Sequence, residues 1–175
     1  MEQDARQAVV VARADRADVD GIVALARLNE AEVGGTLTGQ RTPEAVAAAI
    51  ARLPNIVAKR DGRIVGFLLT ADKAAADLPP VVRAMLAAYS GGDDAYIYGP
   101  ICVAASERGG GVMAAMVDEL KRLLPGREGI LFIRRDNRAS LRAHGKLGMR
   151  EVAGFVHDGA DFAVYAYPVA SRGDA

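Results

Sequence analysis

Two short stretches of this 175-residue chain bring together residue types that do chemistry. In the first, Arg108-Gly109-Gly110-Gly111-Val112-Met113-Ala114, a cation and three glycines lead into a segment whose Val112, Met116, Leu120 and Leu123 recur at helical spacing. The first amides of a helix have no intrahelical acceptor and lie at the positive end of its dipole, so they bind phosphate oxygens, and glycines let the backbone approach closely. In the second, Asn137, Ser140 and His144 fall within two helical turns and share roughly one face, with Asn137 suited to cap the helix and Gly148 to end it. Such a trio reads either as a cap with two ordinary polar positions, or as a place where hydrogen bonds and a proton are exchanged. The single thiol, Cys102, lies on a strand-like run with no His or Asp at a recognisable offset, so a small buried hydrophobe stands against a nucleophile.

The glycine turn itself has three readings. It is a flexible turn; or a dinucleotide site, since Gly109, Gly111 and Ala114 satisfy G-x-G-x-x-G/A; or a site for the pyrophosphate of coenzyme A, led by Arg108. The dinucleotide pattern normally opens the first strand-helix unit of a doubly wound domain. Here four strand-like runs precede it and little chain follows.

Composition narrows the class. Lys plus Arg and Asp plus Glu both total 22, so no overall basic field points to nucleic acid or to an anionic membrane, and any anion site is local. One cysteine and two histidines predict no internal disulfide and no metal site. Met1 to Ala8 contains Glu2 and Asp4 instead of an apolar signal core, and no apolar run reaches the roughly 20 residues of a membrane span, so a cytoplasmic protein is expected. With 51% hydrophobic and 25% charged residues, the length fits a single domain over residues 1–175.

The elements that must position these residues follow from period and punctuation. Val9 to Ala12 reads as a strand; Asp15 then precedes a helix carrying Val19, Ile22, Val23 and Ala26; Thr42 and Pro43 start a second helix that runs to about Leu53, after a loop over 33–41. Asn55 to Lys59 and Arg63 to Thr70 flank Asp61-Gly62 as an antiparallel hairpin. Ala71 to Ala95, with a short helix over Val81 to Tyr89, reads as an excursion over one sheet edge. Tyr96 to Val103 is a strand broken by Gly99-Pro100, Ile130 to Arg134 a strand, Arg138 to Leu147 a helix, and Glu151 to Val156 with Phe162 to Tyr167 a closing hairpin; Ser171 to Ala175 is expected to fray. The order implies an α/β fold, a mixed sheet of about seven mostly antiparallel strands with helices on both faces.

The glycine turn resembles the acyl-CoA signature Q/R-x-x-G-x-G/A of the GCN5-related N-acetyltransferase (GNAT) superfamily, with Arg108 and Gly111 in place and Met113 where a small residue is usual. The segment from Asn137 to Met149 is similar to that family's second motif, N-x-x-A/S-x-x-x-Y/H-x-x-x-G-F/M, so the resemblance covers Tyr96 to Phe155 in order and spacing. It implies a GNAT-like fold with four or five helices and a splayed central parallel pair. It also implies acetyl-CoA as acyl donor, moved by direct attack of a primary amine of a small molecule or peptide. Main-chain groups of Ile101, Cys102 and Val103 would pair with the pantetheine arm; Arg108 to Met113 would hold the pyrophosphate; Asn137, Ser140 and His144 would complete the cofactor site. His144 takes the position of the family's proton donor to sulfur, a main-chain N–H near Cys102 that of the oxyanion donor, and Glu30 or Glu32 borders the acceptor cleft as base. Tyr89, Tyr96 and Tyr98 are candidates to line the acceptor pocket, and a homodimer through a sheet edge or a helix fits such a domain. The competing functions are a non-catalytic acyl-CoA sensor on the same fold and an NAD(P) oxidoreductase.

Overall fold

A computed structural model of the chain describes residues 8–31, 35, 37 and 39–167; the expectations for Glu32 and for Ser171 to Ala175 fall outside these. The chain packs as two units, Met1–Thr70 with Pro100–Leu123, and Ala71–Gly99 with Leu124–Ala175. Seven strands and five α-helices are described, and strand β4 (Tyr96–Val103) contributes one half to each unit.

In the first unit the strands follow the order β1 (Val10–Arg13), β2 (Ile56–Arg60), β3 (Arg63–Asp72) and the C-terminal half of β4. β1–β2 and β2–β3 are antiparallel, the second as the hairpin predicted at Asp61-Gly62, whose φ angles of 49° and 75° are those the turn demands. Helix α1 (Val19–Arg27) follows a 3₁₀ turn over Arg16–Asp18. That turn is closed by a reciprocal cap: Asp15 accepts from the Ala17 amide at 2.7 Å, and Asp18 accepts from the Asp15 amide at 3.1 Å. Helix α2 (Pro43–Arg52) starts as read, with Thr42 Oγ1 accepting from the Ala45 amide at 3.2 Å and Pro43 at the first position.

Strand alternation then sorts the core. Val57, Phe67 and Leu69 pack with Ile22, Val23 and Ala26 of α1 and Val46 of α2. Ala58 and Gly66 turn the other way, toward helix α4 (Val112–Leu123); a Cβ at position 66 would stand 3.1 Å from the Met116 methyl, so the missing side chain lets that helix lie close. Asn55, fully buried, ties three elements together. Its Nδ2 donates to the carbonyls of Ala49 (3.0 Å) and Leu53 (2.7 Å), its Oδ1 accepts from the Thr70 amide (2.8 Å), and its own carbonyl accepts from the Ala14 amide (2.7 Å).

In the second unit the order is the N-terminal half of β4, β5 (Gly129–Arg134), β7 (Ala160–Ala166) and β6 (Arg150–His157). β4 and β5 are parallel and pair only at Tyr96↔Gly129 and Ile97↔Ile130, whereas β5 and β7 pair antiparallel from Ile130↔Ala166 to Arg134↔Phe162. Short pairing in this central parallel couple fits the splay expected, and Gly99, next in β4 after Tyr98, has a φ of 105° that only glycine takes without strain. The last hairpin turns at Asp158-Gly159 (φ 48° and 74°), and helix α5 (Arg138–Lys146) is capped by Asn137 as read.

Residues 71–95 follow the sequence reading and add to it. Helix α3 (Pro80–Ala88) packs mainly on β6, the outer strand, as the expected excursion over one edge, and it reaches β5 to close the core: Met85 is fully buried with Leu78, Ile97, Ile130 and Val164, and Val82, Leu86 and Tyr89 complete the apolar stripe. The i, i+3, i+4 spacing of Val82, Met85 and Leu86 is a helix face that needs a sheet to cover it.

Candidate functional site

The first candidate site is the turn that opens α4. Gly109 and Gly111 both have φ of 79°, a region unfavourable for any other residue, and a Cβ at either would meet nothing within 4 Å. The first intrahelical bond is Ala115 N–H to Gly111 O at 3.0 Å, so the amides of Val112, Met113 and Ala114 precede any helical acceptor. Open space in front of helix N-terminal amides suits a phosphate, and the residues of this turn fit the group that the first motif implies. Met113, the departure from the small residue, sits half-buried in the first turn. Arg108 is exposed but held: its Nε donates to the Val103 carbonyl at 3.2 Å and an Nη to Asn29 Oδ1 at 3.0 Å, while Asn29 Nδ2 donates to the Leu25 carbonyl at 2.9 Å. Asn29, at the end of α1, thus sets the guanidinium; no motif singled it out.

Ile101, Cys102 and Val103 are the last residues of strand β4 before the 3₁₀ segment Ala105–Glu107. The Cys102 side chain is buried among Val57, Phe67 and Leu69, and desolvation pushes its thiol up to about 11 against the opposing charge of Arg108. A thiol so protonated is packing material at neutral pH. Glu30 forms a backbone bridge with Leu37 and lies near Arg41, whose pKa burial lowers while the charge of Glu30 opposes the shift.

The second candidate site, in the other unit, is α5. Asn137 Oδ1 accepts from the Ser140 amide at 3.1 Å, so its side chain is occupied with capping. His144, 2% exposed, places Nδ1 at 2.8 Å from the Ser140 carbonyl oxygen and 3.2 Å from Ser140 Oγ. A carbonyl oxygen only accepts, so Nδ1 carries the hydrogen and Nε2 a lone pair. Burial lowers the pKa of this imidazole, the Ser140 carbonyl opposing, and the neutral form is favoured. Donation from Nε2, the role expected for this position, needs the other tautomer.

Nε2 of His144 and the hydroxyl of Tyr98 are the two buried side-chain polar atoms, among the described residues, without a hydrogen-bond partner. Their rings meet edge to face with centroids 5.6 Å apart. Tyr98 alternates with Ile97 along β4; Ile97 packs with α3, so Tyr98 faces the side that α5 covers. Tyr167, 6.1 Å from Tyr98 between centroids, shares its hydroxyl with that of Tyr96. Tyr96 and Tyr98 are therefore buried in packing, unlike the pocket lining expected of them. Tyr89 does edge a cavity of about 720 Å³, with Asp93, Asp94, Glu128, Arg150 and Tyr167, and donates to the Glu128 carboxylate at 2.7 Å. Among the described residues no group of His, Cys, Asp and Glu is placed to hold a metal, and no helix is long and apolar enough to cross a membrane.

Comparison with known proteins adds the following. The model of the acetyltransferase (GNAT) family matches residues 20–149. No curated protein sequence matches the chain. Among solved structures, an N-acetyltransferase from Staphylococcus aureus Mu50 superposes with a TM-score of 0.69 at 18% identity, covering 94% of this chain and 100% of that one. The yncA protein of Salmonella typhimurium, solved with its cofactor acetyl-CoA, gives 0.68 at 18% identity over 97% and 98%. The ribosomal-protein-S18-alanine N-acetyltransferase of Escherichia coli gives 0.67 at 16% identity over 95% and 97%. These likenesses establish a shared fold.

Proposed function

The chain belongs to the acetyltransferase (GNAT) family, and from that premise we propose that it transfers an acetyl group from acetyl-CoA to a primary amine of a small molecule or a peptide. One observation carries the reading: two positive-φ glycines, with open space where their side chains would be, in front of helix amides that have no helical acceptor. That turn, with Arg108 fixed beside it by Asn29 and Val103, would take the pyrophosphate. Asn137, Ser140 and His144 belong to the second motif, and the main chain of Ile101 to Val103 would pair with the pantetheine arm. The yncA protein was solved with acetyl-CoA, which supports the donor; the Escherichia coli enzyme acts on a protein alanine, which keeps a peptide amine among the acceptors.

Acyl transfer needs the amine to lose a proton, the carbonyl oxygen to be stabilised and the thiolate to gain a proton. A main-chain N–H near Cys102 is the candidate oxyanion donor. Its side chain takes no part, because a thiol pushed up to about 11 is not a nucleophile near neutral pH. Glu30 is retained as a candidate base only through its place before the loop between the first two helices.

Thermal unfolding with CoA, acetyl-CoA and NAD(P), followed by release of free CoA thiol with a panel of amines and an alanine-terminated peptide, tests this. Stabilisation by the CoA species together with thiol release supports the acetyltransferase. Stabilisation without turnover on any acceptor favours the acyl-CoA sensor instead, and stabilisation by NAD(P) alone overturns both.

A further inference from the structure

The turn that opens α4 is gripped by a residue 47 positions away in the chain. Arg60, the last residue of β2, donates from Nε to Glu107 Oε1 at 2.7 Å and from Nη2 to Glu107 Oε2 at 2.8 Å, with the Glu107 side chain 10% exposed and that of Arg60 22%. Exposed ion pairs ordinarily contribute little; a two-point pair that is mostly covered fixes geometry as well. Glu107 stands directly before Arg108, and its main chain is engaged on both sides: its amide donates to the Ala104 carbonyl at 2.9 Å, and its carbonyl accepts from the Gly110 amide at 3.3 Å. That second bond closes a four-residue turn from Glu107 to Gly110. Arg108, at φ −65° and ψ 142°, and Gly109, at φ 79°, give it the type II form. The way the chain leaves Glu107 therefore sets where Arg108 projects and how Gly109 to Gly111 enter the helix. The body of α4 does not need this grip, since Met116, Val117 and Leu120 are fully buried. The pair acts on the turn.

We propose that Glu107, held by Arg60, is a positioning residue for the acyl donor: the pair keeps the turn in the shape that presents Arg108 and the first amides of α4 to the pyrophosphate. This rests on the acetyltransferase reading above. Neither side chain touches the donor in this role; Arg60 acts through Glu107, and Glu107 acts through the turn. Neither belongs to the acyl-CoA signature, which begins at Arg108. The pair has a second effect of the same sign. A carboxylate next in sequence to Arg108 opposes an anion at the turn, and the guanidinium of Arg60 neutralises it. Shape and charge thus both favour the donor when the pair is intact, and both are lost together when either partner is removed.

Calorimetric titration with CoA decides it, carried out well below the Tm of each variant so that stability and affinity are read apart. Arg60→Met and Glu107→Gln should each raise Kd about tenfold, and the double variant should raise it no further than the worse single one, because the two residues act as a unit. Where an acceptor is turned over, KM for acetyl-CoA should rise by the same factor with kcat near the wild-type value. A lowered Tm with wild-type Kd makes the pair a structural tie and overturns the proposal. Effects that multiply to about a hundredfold in the double variant overturn it too, since the residues would then act separately. Should either single variant fail to fold, Arg60→Lys, which keeps the charge and replaces two contacts by one, takes its place: a Kd about threefold higher supports the proposal and an unchanged Kd overturns it. Each of these failures leaves the acetyltransferase reading standing. Failure of CoA to bind wild-type protein sinks that reading first.

Discussion

Replacing Gly111 by alanine sets a cost whose size is known before the place where it will be felt. Gly111 has φ of 79°, and an L side chain in that region costs about 1–2 kcal/mol. Nothing lies within 4 Å of the added Cβ, so no steric contribution joins the backbone one. A cycle linking the unfolded chain, the free fold and the CoA complex must contain this amount. If the turn keeps its shape, the free protein loses all of it, a fall in Tm of about 2–8 °C for a domain of this length, and CoA binds as before. If the turn relaxes, stability is spared, the amides leave their common orientation at the helix start, and Kd for CoA rises about five- to thirtyfold. Scanning and titration calorimetry on one preparation measure both quantities. Gly110 provides the comparison: its φ is not positive and a Cβ there would meet only the Glu107 carbonyl oxygen, at 3.3 Å, so Gly110→Ala should cost less in the sum. A Gly111→Ala protein with wild-type Tm and wild-type Kd refutes the reasoning, since the positive φ would then have no consequence.

Asn55→Ala strips partners from the Thr70 amide and from the Ala49 and Leu53 carbonyls, and should lower stability by about 3 kcal/mol in urea unfolding; a loss below about 1 kcal/mol contradicts the role given to this side chain. Because burial lowers the pKa of His144, the unfolded chain binds more protons between its own value, about 6.5, and the lower folded value. The His144 contribution to stability is therefore complete above about pH 6.5 and is lost as pH falls through that window, so urea midpoints of His144→Asn should decline less on acidification than those of the wild type. Cys102, buried and pushed up to about 11, should react with iodoacetamide at neutral pH only at the rate of opening, and rapidly once urea unfolds the chain; fast labelling of the folded protein contradicts the packing described. Gly145→Ala, in the last turn of α5 with open space around the new Cβ, should raise stability by about 0.5 kcal/mol, less than the ~1 kcal/mol of a helix interior.

What was legible in the sequence is what local chemistry decides. Thr42-Pro43 and Asn137 mark helix starts, and Asp61-Gly62 and Asp158-Gly159 mark hairpins, because caps and tight turns are satisfied within a few residues. Gly109 to Gly111 was recognisable for the same reason. That α3 also belongs to the core was not legible, for the opposite cause: Pro79-Pro80 and Gly91-Gly92 bracket it as a loop would be bracketed, and the strands that cover its stripe, β5 and β6, come later in the chain. Asn29 and Arg108 are 79 residues apart, and Asn55 bonds to Thr70, so neither partnership has a spacing that a pattern detects. His144 stood out by its place in a motif. Its tautomer could not, since a carbonyl one turn back and the absence of a partner at Nε2 determine it.

The polar groups of this fold divide into those that are spent and those that are held back. Asn55, Glu128 and the Asp15–Asp18 cap each have their partners inside the protein, which is the ordinary condition of buried polar atoms. Three places differ: the first amides of α4, the hydroxyl of Tyr98 and Nε2 of His144. The first is a set of donors beside an exposed, oriented Arg108, so it is complementary to an anion. The second and third are one donor and one acceptor, both buried, where an uncharged group left unmatched costs less than a fixed charge would. A donor that carries a pyrophosphate, such as acetyl-CoA, offers a counterpart to the first of these, the amides of α4. A dinucleotide would satisfy those amides as well, so the preference for acyl transfer over hydride transfer comes from the family match over residues 20–149 and not from the turn alone.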